Sequence, residues 1–400
     1  MSEPIVLSEY ATRSSIPISH DDAAILGGTK ALTVLPSVTE PDTWDLTAGH
    51  HVGVINAGRT EVRIRPKVSV RNLLFLLGHT KDPAGWGRTE ALFDDVVDFV
   101  PALAHGFEYQ ARRALAQGIL MGYVTVDEAL PLVRGRIRTS DQITRRHMGP
   151  IPVELTFDEF SPDILENRML LAATRVLLGL QGLPATIRPR LRHIAFRLND
   201  VTQLPARRPV PSVTFNRLNE RYRSAVTLAT LILEGRATGD EVGSRRAVSF
   251  LFDMNRIFED FVTLALGPRI ASRGLRVEPQ LTDSLDEAGK ISIRPDLSWW
   301  DRHKCVGVAD VKYKSLSLSD LPNADVYQLL AYCVAHKVPR GFLIYAAGNE
   351  SPDLHRVRNL GVEIEAVTLN LSLRPAPLLA SLDSLAAHFL DDGWEEDLSA

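Results

Sequence analysis

The chain has 400 residues, a length that suggests two or three domains, and its 45% hydrophobic and 24% charged content suits a chain that buries a core, which excludes disordered, collagen-like and coiled-coil classes. Two cysteines, Cys305 and Cys333, are too few for a disulfide framework and lack a second Cys or His at zinc-ligand spacing. The net charge of −4 argues against nucleic acid, but 37 of the 45 cationic residues are Arg, and nine of these fall from Arg188 to Arg223 against only Asp200 and Glu220.

The N-terminus is polar, without the basic stretch and apolar core of a signal peptide. The longest apolar runs, Leu73–Leu77 and Ala225–Leu233, fall far short of the ~20 residues that cross a bilayer. A cytoplasmic protein without membrane association is therefore expected. Residues 1–35 show little periodicity and suggest short strands. His51–Asn56 and the alternating Thr60–Arg65 read as two strands joined by turn chemistry at Asn56-Ala-Gly58, which predicts a hairpin stopped by Pro66. Helical segments follow from Val68 to about Met121, and a further helix is expected around Thr125–Val133, before Arg134-Gly-Arg-Ile137. Nothing up to this point forms a catalytic constellation.

From Pro150 the pattern changes. Leu165, Met169, Leu170, Ala173 and Leu177 share one face of an amphipathic helix that follows Asp158-Glu-Phe-Ser161. Further helices are expected over Pro189–Asn199, Arg217–Glu234 and Ser249–Leu266, with a loop at Gly235–Gly243 and a last helix at Pro377–Leu390. Arg188, Arg190 and Arg192 open the basic stripe, and Arg forks bind phosphate bidentately, so they are candidate DNA contacts. No internal repeat is visible. Gly289-Lys290 lacks the rest of a Walker motif, so nucleotide binding by that route is not expected. These patterns divide the chain into an α+β N-terminal domain, residues 1–150, and residues 151–400, which hold a helical region and an α/β domain with a mixed central sheet flanked by helices.

The chemistry is concentrated between Ile291 and Lys314. Two strand-like segments flank the polar tip Asp301-Arg302-His303-Lys304, and alternation puts Val306, Val308, Asp310, Lys312 and Lys314 on one face of the second. Asp310 and Lys312 thus project together about 6.6 Å apart along the strand, and the hairpin can bring Asp296 beside Asp310. Two carboxylates can hold a hard divalent cation through oxygen, and a lysine ammonium can stabilise negative charge developing on a phosphoryl group. Mg2+-dependent phosphodiester cleavage by Asp296, Asp310 and Lys312 is therefore the leading expectation. Lys314 shares the face and is a candidate phosphate contact. Pro295-Asp296, thirteen intervening residues and Asp310-x-Lys312 have the spacing of PD-(D/E)xK nucleases. Gln328 and Tyr332 share a helix face as supporting residues, an arrangement that resembles the RecB-type branch. Glu259, on the helix with Phe258 and Phe261, is a candidate third metal ligand.

In order and spacing the chain resembles the McrC family, the nuclease subunit of McrBC-type, modification-dependent (5-methylcytosine-specific) restriction systems. Ile64-Arg-Pro-Lys67 with Asn72–Leu77, Arg134–Ile137, Phe157–Ser161 with Glu166-Asn-Arg168, Asn255–Phe261, Arg294-Pro-Asp296, Asp310–Tyr313 and Tyr327-Gln328 carry the resemblance over about residues 50–370. It implies a C-terminal PD-(D/E)xK endonuclease domain and an N-terminal domain that engages and stimulates a McrB-like AAA+ GTPase hexamer, with GTP bound only by that partner. It further implies double-stranded DNA containing modified cytosine as substrate. Two alternatives stay open: a stand-alone RecB-like repair nuclease, and a non-catalytic activator of the GTPase ring.

Overall fold

A computed structural model describes residues 3–81, 98–146, 151–180, 183–205, 209–237, 248–314, 321–346 and 353–391. Arg207, Arg208, most of the Gly235–Gly243 loop and the acidic tail from residue 392 lie outside these ranges. The chain folds as two compact units, one built from described residues 3–81 and 251–391 and the other from 98–250. These units do not follow the division at residue 150: the first 81 residues belong with the C-terminal part, and the helical region belongs with residues 98–146.

The first unit begins with β1 (Ile5–Ser8), β2 (Thr12–Ile16), α1 (His20–Gly27), β3 (Leu32–Pro36), β4 (Trp44–Ala48), β5 (His51–Ala57), β6 (Thr60–Arg65) and α2 (Val70–Lys81). Strands β5 and β6 form the expected antiparallel hairpin, Ala57 opposite Thr60, and Gly58 makes the turn at φ +55°. Ser19 starts α1 by accepting a hydrogen bond from the Asp22 N–H at 3.1 Å. The sequence hides this helix in a stretch expected to hold only short strands. Helix α2 is fixed by Asn72, whose Nδ2 donates to the carbonyls of Leu371 at 2.5 Å and Leu373 at 2.9 Å.

The second unit comprises α3 (Phe99–Leu115), β7 (Gly122–Leu130), β8 (Arg136–Ile137), α4 (Thr139–Arg146), β9 (Val153–Ser161), α5 (Leu165–Gly179), α6 (Ile187–Arg197), a short 3-10 turn (Glu220–Tyr222) and α7 (Arg223–Ala237). The helix expected at Thr125–Val133 is instead strand β7, paired antiparallel with β9 from Gly122–Ser161 to Leu130–Val153. Asp-Glu-Ala-Leu favours helix locally, but the alternating Tyr123, Val124, Thr125 and Val126 pair across the sheet, and pairing overrides propensity.

The chain re-enters the first unit along β10 (Val248–Asp253), which lies beside β5 in a four-stranded sheet of order β1-β6-β5-β10. Ser249–Leu266 is thus not one helix. Its apolar opening is a strand, and α8 (Met254–Ala271) starts where the Asp253 side chain accepts the N–H groups of Asn255 and Arg256. A short apolar run carries no period that separates strand from buried helix. There follow β11 (Arg276–Pro279), β12 (Asp283–Ser284), β13 (Ser292–Ile293), β14 (Leu297–Asp301), β15 (Lys304–Lys312), α9 (Asn323–His336), β16 (Arg340–Tyr345), β17 (Asp353–Arg356), β18 (Glu363–Thr368) and α10 (Pro375–Asp391).

Six of these strands make the expected mixed sheet, in the order β11-β14-β15-β16-β18-β17. The β14–β15 hairpin is antiparallel, while β15–β16 and β16–β18 are parallel. Helix α9 covers one face, where Leu329, Tyr332 and Cys333 pack on Val308, Leu343, Tyr345 and Ile364. On the other, Tyr313 meets Phe258 of α8, and Trp299 stacks on Phe389 of α10 at 5.7 Å with rings 4° from parallel. Trp299 is fully buried, a core residue. Both cysteines are buried and free.

Candidate active site

Strand β15 positions the acidic pair. Its alternation turns Val308, Asp310 and Lys312 towards α9, and pairing on both sides buries the strand, so Asp310 is 1% exposed. Leu297 pairs with Ala309, and one step further along this register Asp296 stands opposite Asp310. Asp296 is fastened there by its Oδ2, which accepts the Val311 N–H at 2.7 Å.

The two carboxyl groups disturb each other. Burial, then the Asp310 charge, then that of Glu259 push Asp296 up to about 8. Burial also raises Asp310, although Lys312 pulls it the other way. Burial works against the Lys312 ammonium, yet Asp310 and Asp296 outweigh it and hold its proton more tightly than usual. Lys312 Nζ lies 2.7 Å from Asp310 Oδ2 as an ion pair.

Lys312 Nζ also donates to Gln328 Oε1 at 3.1 Å, Gln328 Nε2 to the Tyr332 hydroxyl at 2.7 Å, and that hydroxyl to the Arg294 carbonyl at 3.1 Å. Gln328 and Tyr332, expected as supporting residues, thus form a relay that ends one residue before Pro295-Asp296. Lys314 is placed differently. Its Nζ sits 3.1 Å from Asp325 Oδ2, an oxygen that also accepts the Tyr345 hydroxyl at 3.0 Å. Asp325 has no role readable from its position, because a helix-start acid is usually solvated, whereas here it is buried. A cavity of about 270 Å³ beside this strand end is lined by Tyr10, Lys67, Tyr313 and Lys314, among others.

Glu259 does not complete a compact ligand trio. Its carboxylate accepts from Gln280 Nε2, and the Gln280 carbonyl in turn accepts from Arg294, so the acid is engaged in a side-chain bridge. Among the described residues, the acidic and imidazole ligand atoms that gather in threes within 4.8 Å belong to His50, His51 and Asp253, not to Glu259, Asp296 and Asp310. The basic stripe is also divided. Arg188 donates to the Leu178 and Leu180 carbonyls at 3.2 and 2.6 Å, so its guanidinium closes the end of α5. Arg190 and Arg192 are exposed on α6, Arg190 with Glu108 3.9 Å away.

A hard divalent cation fits the Asp296–Asp310 pair. A buried and a half-buried carboxyl that repel one another form an all-oxygen site whose charge a cation would neutralise.

The sheet and its acid pair define an α/β protein with a polar site at the edge of a hairpin. The chain belongs to the family described as "McrBC 5-methylcytosine restriction system component", whose model matches residues 46–346. A solved Thermococcus gammatolerans structure, described as a refined half-complex of McrB AAA+ hexamers with bound McrC, contains a chain similar to this one at TM-score 0.62 and 18% identity, covering 98% of this chain and 100% of that one. A second structure, of the T. gammatolerans McrBC complex, matches at TM-score 0.41 and 20% identity over 67% of this chain and 88% of that one. A comparison with curated proteins gives no match. No helix among the described residues is long and apolar enough to cross a membrane.

Proposed function

We propose that this chain is the DNA-cutting subunit of a McrBC-type restriction system, a PD-(D/E)xK endonuclease with Asp296, Asp310 and Lys312 as its catalytic residues and Mg2+ as its cofactor. The observation that carries the reading is the meeting of a buried carboxyl, Asp310, and a half-buried one, Asp296, on one hairpin with an ammonium held against them. A structural role explains this poorly, because two adjacent acids largely withdrawn from water cost stability unless a ligand compensates them.

Asp296 and Asp310 would hold the cation, which when bound activates a water and stabilises charge on the phosphoryl oxygens. With a cation held by the two carboxylates, Lys312 would keep its hydrogen bond to Gln328 and present its ammonium to the substrate phosphate. There the ammonium orients the nucleophile or offsets developing negative charge. The relay through Tyr332 to the Arg294 carbonyl sets the Gln328 orientation and so the reach of Lys312. Glu259 supplies negative charge from behind Asp296, and Arg190 and Arg192 give the second unit its phosphate contacts. The Thermococcus complex, with McrC bound to McrB AAA+ hexamers, supports a partner of that kind here, with GTP confined to the partner. The family description supports DNA bearing 5-methylcytosine as substrate.

The test is cleavage of methylated plasmid by the chain with its cognate GTPase and Mg2+. Asp310→Asn and Lys312→Ala should each lower the cutting rate by roughly 100-fold or more while leaving GTP hydrolysis intact. Undiminished cutting by either variant would overturn the assignment. GTPase stimulation with cutting absent even in the wild type would favour the non-catalytic activator.

A further inference from the structure

Away from the acid pair, the first unit contains a second cluster that the cleavage reading does not use. His50 immediately precedes β5 and His51 opens it, whereas Asp253 ends β10 and caps α8. The Met254 N–H donates to the His50 carbonyl at 3.0 Å and holds the two segments side by side. One ring nitrogen from each histidine and one Asp253 oxygen lie within 4.8 Å of one another. The His50 Nε2 to Asp253 Oδ1 distance is 3.5 Å, and the imidazoles are 4.4 Å apart at 34°. His51 is 6% exposed, and its Nδ1 has no hydrogen-bond partner.

That orphaned nitrogen is the informative atom. A buried polar group without a partner costs about 1–3 kcal/mol, and neighbouring chemistry usually satisfies it. Around a tetrahedral ion with bonds of about 2.0–2.2 Å, ligand atoms stand roughly 3.4 Å apart. The His50–Asp253 separation already has that value, and the third ligand atom, from His51, lies within 4.8 Å of both.

We propose that His50, His51 and Asp253 form a binding site for a divalent cation of the zinc class, which clamps the start of β5 to the N-terminus of α8. Two imidazoles and a carboxylate select a borderline ion such as Zn2+ over Mg2+, which prefers oxygen ligands and octahedral geometry. Three protein ligands leave one position for water. The positive end of α8 and the nearby Lys30 oppose a cation, and the Asp253 carboxylate offsets both. The clamp joins residues about 200 positions apart in sequence, and α8 also carries Glu259, so the site fixes the helix behind the acid pair. It does not depend on the nuclease reading, because the ligands and the ion class differ.

The experiment uses the full chain stripped with a chelator, carrying Asp310→Asn so that the acid pair does not take up the metal. Titration with ZnCl2 against a chromophoric competitor should show one tight equivalent per chain, and Co2+ should give the visible absorption of a low-coordinate site with nitrogen ligands. Adding His50→Gln or His51→Gln should weaken Zn2+ binding by about tenfold or more. Adding Asp253→Asn, which keeps the helix cap, should do the same. Far-UV circular dichroism identifies any variant that fails to fold, and the remaining ones then decide. Absence of a tight equivalent, or equal affinity in all folded variants, would overturn the proposal.

Discussion

Replacing Asp296 with Asn should make the metal-free protein more stable at alkaline pH while abolishing cleavage. Asn keeps an oxygen for the Val311 N–H and removes the charge that faces Asp310. The folded carboxyl binds its proton up to about 8, against 3.8 for the ordinary value. Its contribution to stability is therefore fully present below pH 3.8 and is lost as pH rises through about 8. At about 1.4 kcal/mol per tenfold change in proton affinity, the whole interval is worth on the order of 5 kcal/mol, a property of the pair rather than of Asp296 alone. Even half of that moves the Tm of a unit this size by roughly 5 °C or more. Thermal scans of wild type and Asp296→Asn from pH 4 to 9, in chelator, should coincide at the acid end and separate at the alkaline end, the variant melting higher. Mg2+ should close the gap by stabilising the wild type alone. Parallel curves over the whole range would refute the idea that the two acids strain one another.

Tyr332→Phe removes both the acceptor for Gln328 and the donor to Arg294, so kcat should fall by about tenfold with KM little changed, read from plasmid cutting. Gly307→Ala would drive a Cβ into the Trp299 ring, which is stacked on Phe389 and cannot retreat, and should cost about 3 kcal/mol in urea unfolding. Asn72→Ala leaves the Leu371 and Leu373 carbonyls without their donor, and should lower stability by about 2 kcal/mol in the same assay.

The β14–β15 hairpin, the α9 pair and the alternation that sets Asp310 and Lys312 on one face were legible because they are local and have a period of two or of about four residues. Strand β7 was not, since its Asp-Glu-Ala-Leu stretch favours helix and only the pairing with β9 decides otherwise. Strand β10 failed for lack of periodicity, and only the Asp253 cap marks where α8 starts. Misses at the site share one cause, partnership at long range. Lys314 looked free for phosphate until the fold placed Asp325 against it, and Arg188 looked exposed until its guanidinium met the end of α5. His50 and His51 had no visible partner because Asp253 lies some 200 residues further on.

The first unit is drawn from both ends of the chain, with residues 98–250 between them, and this sets an order of events on the ribosome. When β5 and β6 emerge, the strand that will flank β5 has not been translated, so one edge of the nascent sheet waits for nearly 200 residues. At about 5–20 residues per second, that is roughly 10–40 s of exposed strand edge, long enough for a chaperone to matter. The intervening unit can finish folding first. A truncated chain ending before residue 251 would therefore contain a complete inner unit with an unpaired N-terminal remnant, a form prone to aggregation.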